Sequence, residues 1–326
     1  MTMRRRHLLG GAAAALATAF PALALAQGEW PQRPVRLIVP FPPGGGTDAT
    51  SRLVADRLNL AMGWTMVIDN KPGAGGNIGI SETVRAPKDG YTLLLSSGGA
   101  ITINPMIYSK LAFNPEKDLT PVAAVARVHV FLETNPAVPA TNVADFIKHL
   151  KANPGKLSYG SPGQGSSPHL AGEMFKRMAG VDAVHAPYKG AGPALSDVLS
   201  GQLQFWFDPG PGLKQVEAGK LRLLAIGSPH RSPQYPNVPT LAESGLPGFD
   251  ADTLFGIYAP TGTPESVIEA VRTAVAKALE QKNVNDVILT LGATPAPLSR
   301  KAFIDHHATE RERFGELVKA IGLKVD

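Results

Sequence analysis

The chain has 326 residues, 44% of them apolar, with a formal net charge of +5. Three arginines of the total lie at positions 4–6, so the remainder is close to neutral and carries no basic footprint of a nucleic-acid binder. With no cysteine, disulfides, thiol catalysis and cysteine-held zinc are excluded.

In chain order, "MTMRRRHLLGGAAAALATAFPALALAQ" comes first. A basic head, an apolar stretch from Leu8 to Leu25 and the small residues Ala24 and Ala26 read as a secretory signal cleaved after Ala26. Arg5-Arg6 followed by Leu8 and Leu9 also fits a twin-arginine export signal, and an ordinary secretory signal accounts for the same residues. No later window reaches the ~20 apolar residues of a membrane span. The mature chain is therefore expected to be soluble and exported.

Residues 35–39, "VRLIV", predict a buried strand, and "PFPPGGGTD" runs from it into a helix carrying Leu53, Val54, Leu58 and Ala61. A strand over 65–69, a Gly-rich turn, a helix over 77–86 and a strand over 91–97 follow. Residues 104–121 read as Pro-punctuated loop and short helix, and 122–133 as one long strand-like run. The alternation then restarts, with strands over 156–159, 182–187, 203–207 and 221–226. Between them, helices are expected over 168–179, 193–200 and 213–218. Another extended segment spans 250–260. Thr263 and Pro264 open a helix through "ESVIEAVRTAVAKALEQ", and helices over about 283–291 and 299–320 finish the chain.

Strands alternating with helices predict α/β architecture with parallel sheets. Two such series, bracketed by the runs at 122–133 and 250–260, predict two lobes, each a mostly parallel sheet flanked by helices, joined by a two-strand hinge. The expected division is 1–26 signal peptide, 28–127 plus 251–326 lobe 1, and 128–250 lobe 2. Ligands of open α/β sheets bind beyond the C-terminal strand ends, so two such ends would face across a cleft.

The loop Gly44-Gly45-Gly46-Thr47-Asp48 lacks the GK[ST] of a phosphate loop and does not meet G-x-G-x-x-G. What remains is a helix N-terminus with free N–H groups, suited to a small carboxylate, or a tight turn that needs glycine. Asp48 could cap the helix or accept from a ligand donor. The loop "YGSPGQGSSPHLAGE" repeats the device with Gly163, Gln164, Gly165, Ser166 and Ser167, and "YKGAGP" (Tyr188, Lys189, Gly190) supplies a third helix start. Asp208, at the end of "LQFWF", is expected near the cleft or in a turn before Pro209-Gly210. There is no G-x-S-x-G elbow, and His169 with Glu173 lacks a third metal ligand. His169 is expected to pack or cap, and His306-His307 to lie on a solvated face. No cofactor and no metal are expected.

Six segments carry a resemblance: "WPQRPVRLIVPFPPGGGTDATSRLVADRL", "VIDNKPGAGGNIG", "DGYTLLLSS", "YGSPGQGSSPHLAGEMF", "APYKGAGPALSDVLSGQLQFWFD" and "LFGIYAPTGTP". In these, over nearly all of 30–326, the chain resembles the Bug family, periplasmic solute-binding proteins of tripartite tricarboxylate transport systems. The resemblance implies a two-domain Venus-flytrap fold and no catalysis. It implies a monomer that gives a small carboxylate to membrane transporter subunits. It also implies ligand contacts at Phe41 to Asp48 and Gly163 to Ser167. Ser96, Ser97, Tyr188 to Gly190 and Asp208 would be further walls. Pro43 stands where the family often has a smaller residue, and Phe41 and Trp206 suggest an apolar wall. The competing readings are an exported two-lobed α/β hydrolase or lyase, and a ligand sensor for a signalling receptor.

Overall fold

The computed structural model describes residues 30–325, so the expected signal peptide lies outside the described residues. Strand β1 (Val35–Val39) is buried at nearly every position, and helix α1 (Gly46–Met62) follows it. Next come β2 (Met66–Asn70), α2 (Asn77–Val84), β3 (Thr92–Ser97) and the short helices α3 (Gly98–Thr102), α4 (Asn104–Ile107) and α5 (Pro115–Asp118). The run expected as one strand is two: β4 (Leu119–Val128) and β5 (Phe131–Thr134). They belong to different sheets, with only His129 and Val130 between them.

Helix α6 (Val143–Ala152) has no counterpart in the sequence reading, although Asn142 caps it and Val143, Phe146 and Leu150 form its buried stripe. Then follow β6 (Ser158–Ser161), α7 (Ser167–Ala179), β7 (Val184–Pro187), α8 (Ala191–Ser200), β8 (Phe205–Asp208), α9 (Leu213–Glu217) and β9 (Arg222–Ile226). The chain returns through β10 (Thr253–Pro260), α10 (Glu265–Leu279), α11 (Lys282–Thr290), β11 (Ala293–Pro295) and α12 (Arg300–Ile321). Thr263 does not cap α10: its hydroxyl donates to the carbonyl of Pro260 at 2.8 Å, and Pro264 is the residue before the helix.

One sheet has the order β11-β4-β10-β3-β1-β2, the other β7-β6-β8-β5-β9. Both are mixed rather than mostly parallel. β1 pairs in parallel with β2 and β3, and β6 with β7 and β8. The strands that arrive from the other sheet run antiparallel: β10 against β3 and β4, and β5 against β8 and β9. A strand entering from the other half starts at the cleft, where the βα strands end, so the crossing itself dictates the reversal. Fully buried β1, β3 and β10 residues make one core, and Phe146, Phe175, Phe205 and Phe207 anchor the other. The end of α12 joins that second core through Phe314, Leu317 and Val318, as do Ile103 and Ile107. The tail thus packs on both halves.

On α12 the expectation of a solvated His306-His307 face fails for His307, which is 4% exposed, with Nε2 3.0 Å from the Tyr258 hydroxyl. Phe303, His307, Glu310 and Phe314 recur at helical spacing and form the buried stripe, two of its positions being polar.

Candidate functional site

The C-terminal ends of β1, β3, β6 and β8 point at one cavity of about 380 Å³ between the two sheets. Its first wall is Phe41 with Gly44, Gly45, Gly46 and Thr47. Ser97 closes the same side at the end of β3. The opposite wall is Gly163, Gln164, Gly165, Ser166 and Ser167, continued by Lys189 and Gly190. The rims nearly meet: a Cβ on Gly190 would sit 3.7 Å from Pro42 Cγ, and one on Gly46 3.6 Å from the Pro209 carbonyl.

Four expected contacts do not reach this cavity. Asp48 is 3% exposed and turned back into its own loop. It accepts from the Gly44 N–H at 2.9 Å, from Arg52 Nε at 2.9 Å and from Asn70 Nδ2 at 3.0 Å. Burial opposes its charge, but the bonds from Arg52, Gly44 and Asn70 outweigh that and hold its pKa below the ordinary carboxylate value. Ser96 faces the core, since successive strand residues alternate and Ser97 takes the cleft side. Tyr188 hydrogen-bonds Asp197 and packs with the α8 cluster. Asp208 is fully buried, accepting from the Gly212 N–H at 2.8 Å. Trp206, the other expected apolar wall, is buried with its Nε1 donating to Glu133 at 2.8 Å.

Glu133 and Asp208 form a buried pair of carboxyls. Burial, then the charge of Asp208, raises Glu133 well above its ordinary range. Burial pushes Asp208 up to about 7 against the N–H groups of Gly212, Gly210 and Leu213. By accepting from the Gly212 N–H, Asp208 orders the turn at Pro209, which does touch the cavity.

The sequence reading missed Asn104, Val128 and Phe255 as lining residues. Asn104 opens α4 in the segment read as loop and short helix, and its Nδ2 donates to the Gly75 carbonyl at 3.0 Å and Asn77 Oδ1 at 2.8 Å. Val128 and Phe255 lie on the crossing strands, and only the sheet pairing, Phe255 opposite Ser97 and Ala126, brings them under the cleft.

Lys189 is the one charged side chain on the lining, and it is exposed. An anion here is met mainly by backbone. Among the described residues, no hydrogen bond within the chain satisfies the N–H groups of Gly45, Gly46 and Thr47, nor those of Ala191 and Gly192. α1 from one half and α7 and α8 from the other open into the cavity, and each helix N-terminus favours an anion by ~0.3–1 kcal/mol. Phe41, Phe255, Val128 and Ala100 leave the rest of the space apolar. No group of three or more His, Asp or Glu side chains among the described residues could hold a metal. No described helix is long and apolar enough to cross a membrane.

Comparison with known proteins agrees with this geometry. Residues 50–323 match the family described as tripartite tricarboxylate transporter family receptor. The chain is 36% identical to protein BugT of Bordetella pertussis, over 99% of this chain and all of that one. The structure of R. palustris Rpa4515 with adipate superposes with a TM-score of 0.87 at 36% identity, covering 90% of this chain and 99% of that one. MatC from Rhodopseudomonas palustris with bound malate gives 0.82 at 31% identity, covering 89% and 100%.

Proposed function

Because the chain belongs to the tripartite tricarboxylate transporter receptor family, we propose that it captures a small carboxylate in the periplasm and delivers it unchanged to the membrane subunits of such a transporter. The observation that carries this reading is the convergence of unpartnered helix N-termini from both halves on one cavity whose lining has a single charged side chain. That arrangement suits a carboxylate held by N–H groups and hydroxyls, with an apolar body against Phe41 and Phe255. Adipate and malate, seen in two structural relatives, are the first acids to try. A serine hydrolase would need a base beside its nucleophile, and although Thr47, Ser97, Ser166 and Ser167 line this cleft, no His, Asp or Glu is among its lining residues.

The two halves, 28–127 with 251–326 and 128–250, act as lobes that close on the ligand about the crossings at His129-Val130 and before β10. The segment 1–26 is read as the export signal, removed after Ala26. Thermal melting of the mature protein against mono-, di- and tricarboxylates, amino acids and aromatic acids tests the reading. A ligand at 100-fold excess over its Kd adds ~2.7 kcal/mol. If no acid raises the melting temperature, or if the acid that does is converted to product, the proposal fails.

A further inference from the structure

The two glycine-rich loops are pinned by the same device with different chemistry. In α1 the third helical residue, Asp48, accepts the N–H of Gly44, four residues earlier, at 2.9 Å. In α7 the third helical residue is His169, and its Nδ1 lies 3.0 Å from the N–H of Gly165, again four residues earlier. Both glycines are left-handed, at φ +84° and +75°. Gly165 is also held from the far side, since a Cβ there would sit 2.1 Å from Ile107 Cδ1.

Accepting through Nδ1 requires a neutral ring with its proton on Nε2. The surroundings favour that form. His169 is 4% exposed and stacks on His185, ring centroids 3.8 Å apart at 12°. His185 Nε2 lies 2.7 Å from the Ser161 hydroxyl, which bonds the Gly163 N–H and carbonyl at 3.2 and 3.0 Å. The charged and titratable groups around the ring are His185 on β7, Glu173 and Lys176 on α7 itself, and Tyr159 on β6. Tyr159 donates to Glu173 at 2.7 Å, and Lys176 pairs with Glu173 at 3.0 Å. Burial lowers His169 to about 4 and His185 to about 3.

We propose that His169 is a positioning residue for ligand binding. Its neutral imidazole accepts the Gly165 N–H and so holds the second loop with Ser166 and Ser167 against the cleft, and protonation turns the acceptor into a donor and frees the loop. The effect on affinity rests on reading the cleft as a carboxylate site, whereas the effect on the loop does not.

Asparagine can place Oδ1 where Nδ1 stands and cannot be protonated, so His169→Asn is the rescue and His169→Ala the loss. In the ligand-free protein, exchange of the Gly165 amide read by NMR is expected to be alike in wild type and His169→Asn, and about tenfold faster in His169→Ala. Titration with adipate is expected to show roughly three- to tenfold weaker binding for His169→Ala and full rescue by His169→Asn. As pH falls from about 6 to about 3.5, wild type loses affinity relative to His169→Asn, a ratio from which protonation of the acid itself cancels. Unchanged Gly165 exchange in His169→Ala, or a ratio flat with pH, overturns the inference. Should His169→Ala not fold, the pH dependence of Gly165 exchange in wild type against His169→Asn decides. If the exchange pattern holds while adipate fails to bind wild type, the loop inference stands and adipate as the probe acid falls.

Discussion

At the scale of single residues, Gly45 and Asp48 separate ligand contact from loop support. Gly45 has φ −83°, an angle open to any residue, and a Cβ there would meet nothing nearer than the Pro42 carbonyl at 3.9 Å. Gly45→Val therefore puts a branched side chain into the cavity with little backbone strain. It is expected to weaken carboxylate binding at least ~100-fold, a loss of ~2.7 kcal/mol or more, with the melting temperature nearly unchanged. Calorimetric titration checks this, and wild-type affinity in a folded Gly45→Val protein removes the first loop from the site. Asp48 acts through the loop instead. Asp48→Asn keeps one acceptor but loses the charge that Arg52 pairs with, and Arg52 is about half exposed, so the stability loss is expected near ~0.5–1 kcal/mol at neutral pH. The folded-state pKa of Asp48 is depressed, so its contribution is present above the unfolded value of about 3.9 and fades as pH falls through the folded one. Melting curves of the two proteins should thus converge in acid, and a deficit that persists there would assign Asp48 a role other than its charge.

At the scale of elements, the Glu133 and Asp208 pair on neighbouring strands β5 and β8 is expected to shape the pH dependence of stability. Both folded-state values are raised, so the pair costs stability at alkaline pH, and the cost disappears as pH falls through about 7 toward the unfolded values. The buried His169 and His307 and the part-buried His185 and His306 work the other way, since their lowered values cost stability once pH drops below the unfolded imidazole value of about 6.5. The overall slope mixes both, and the comparison that isolates the pair is wild type against Glu133→Gln, whose amide oxygen can still accept from Trp206. The variant's advantage should grow as pH rises above the unfolded glutamate value of about 4.3 and vanish as pH falls to it; a difference constant with pH would mean that burial does not hold the proton on Glu133. The same elements show what the sequence made visible. β1 lies where "VRLIV" puts it, and α7 and α12 agree within a residue or two, because their apolar spacing or caps are local signals. Helix α6 is equally signalled by Asn142, Val143, Phe146 and Leu150, yet the sequence reading assigns no element between 133 and 156. His307 is not solvated, and of the two readings given for Asp208 and Asp48 the structure has the local turn rather than the cleft contact, for one reason: each is a polar side chain with buried partners distant in sequence or turned back on the backbone, which no periodicity reveals. The lining by Phe255 and Val128 depends on strands crossing between sheets, a long-range pairing rather than a local pattern.

At the scale of the whole molecule, the contacts between the halves set what closure can cost. Besides the two crossings, the turn after β8 meets the turn after α11 backbone to backbone. A Cβ on Gly210 would lie 2.2 Å from the Leu291 carbonyl, and one on Gly292 would lie 3.0 Å from the Gly210 Cα. Gly210 also sits at φ +123°, where a side chain is strained in any case. The Gly292 carbonyl in turn accepts from the His129 N–H at 3.3 Å, at the crossing itself, so this glycine pair lies beside the axis about which the lobes would turn. An added methyl at Gly210 opposes the packing of these two turns directly, and a form in which the turns move apart would relieve the contact. Gly210→Ala is therefore expected to favour the open form. A ligand that binds the closed form must then overcome the shifted equilibrium, and its affinity falls by the fraction of protein that remains closed. Strain at φ +123° is felt in both forms and lowers the melting temperature without changing that fraction. Small-angle scattering separates the two effects. Wild type saturated with an acid found by the melting screen should have a smaller radius of gyration than without it, and Gly210→Ala should need more acid to reach the same value. If Gly210→Ala melts lower but closes at the same acid concentration as wild type, the glycine pair is a folding constraint and not part of the hinge.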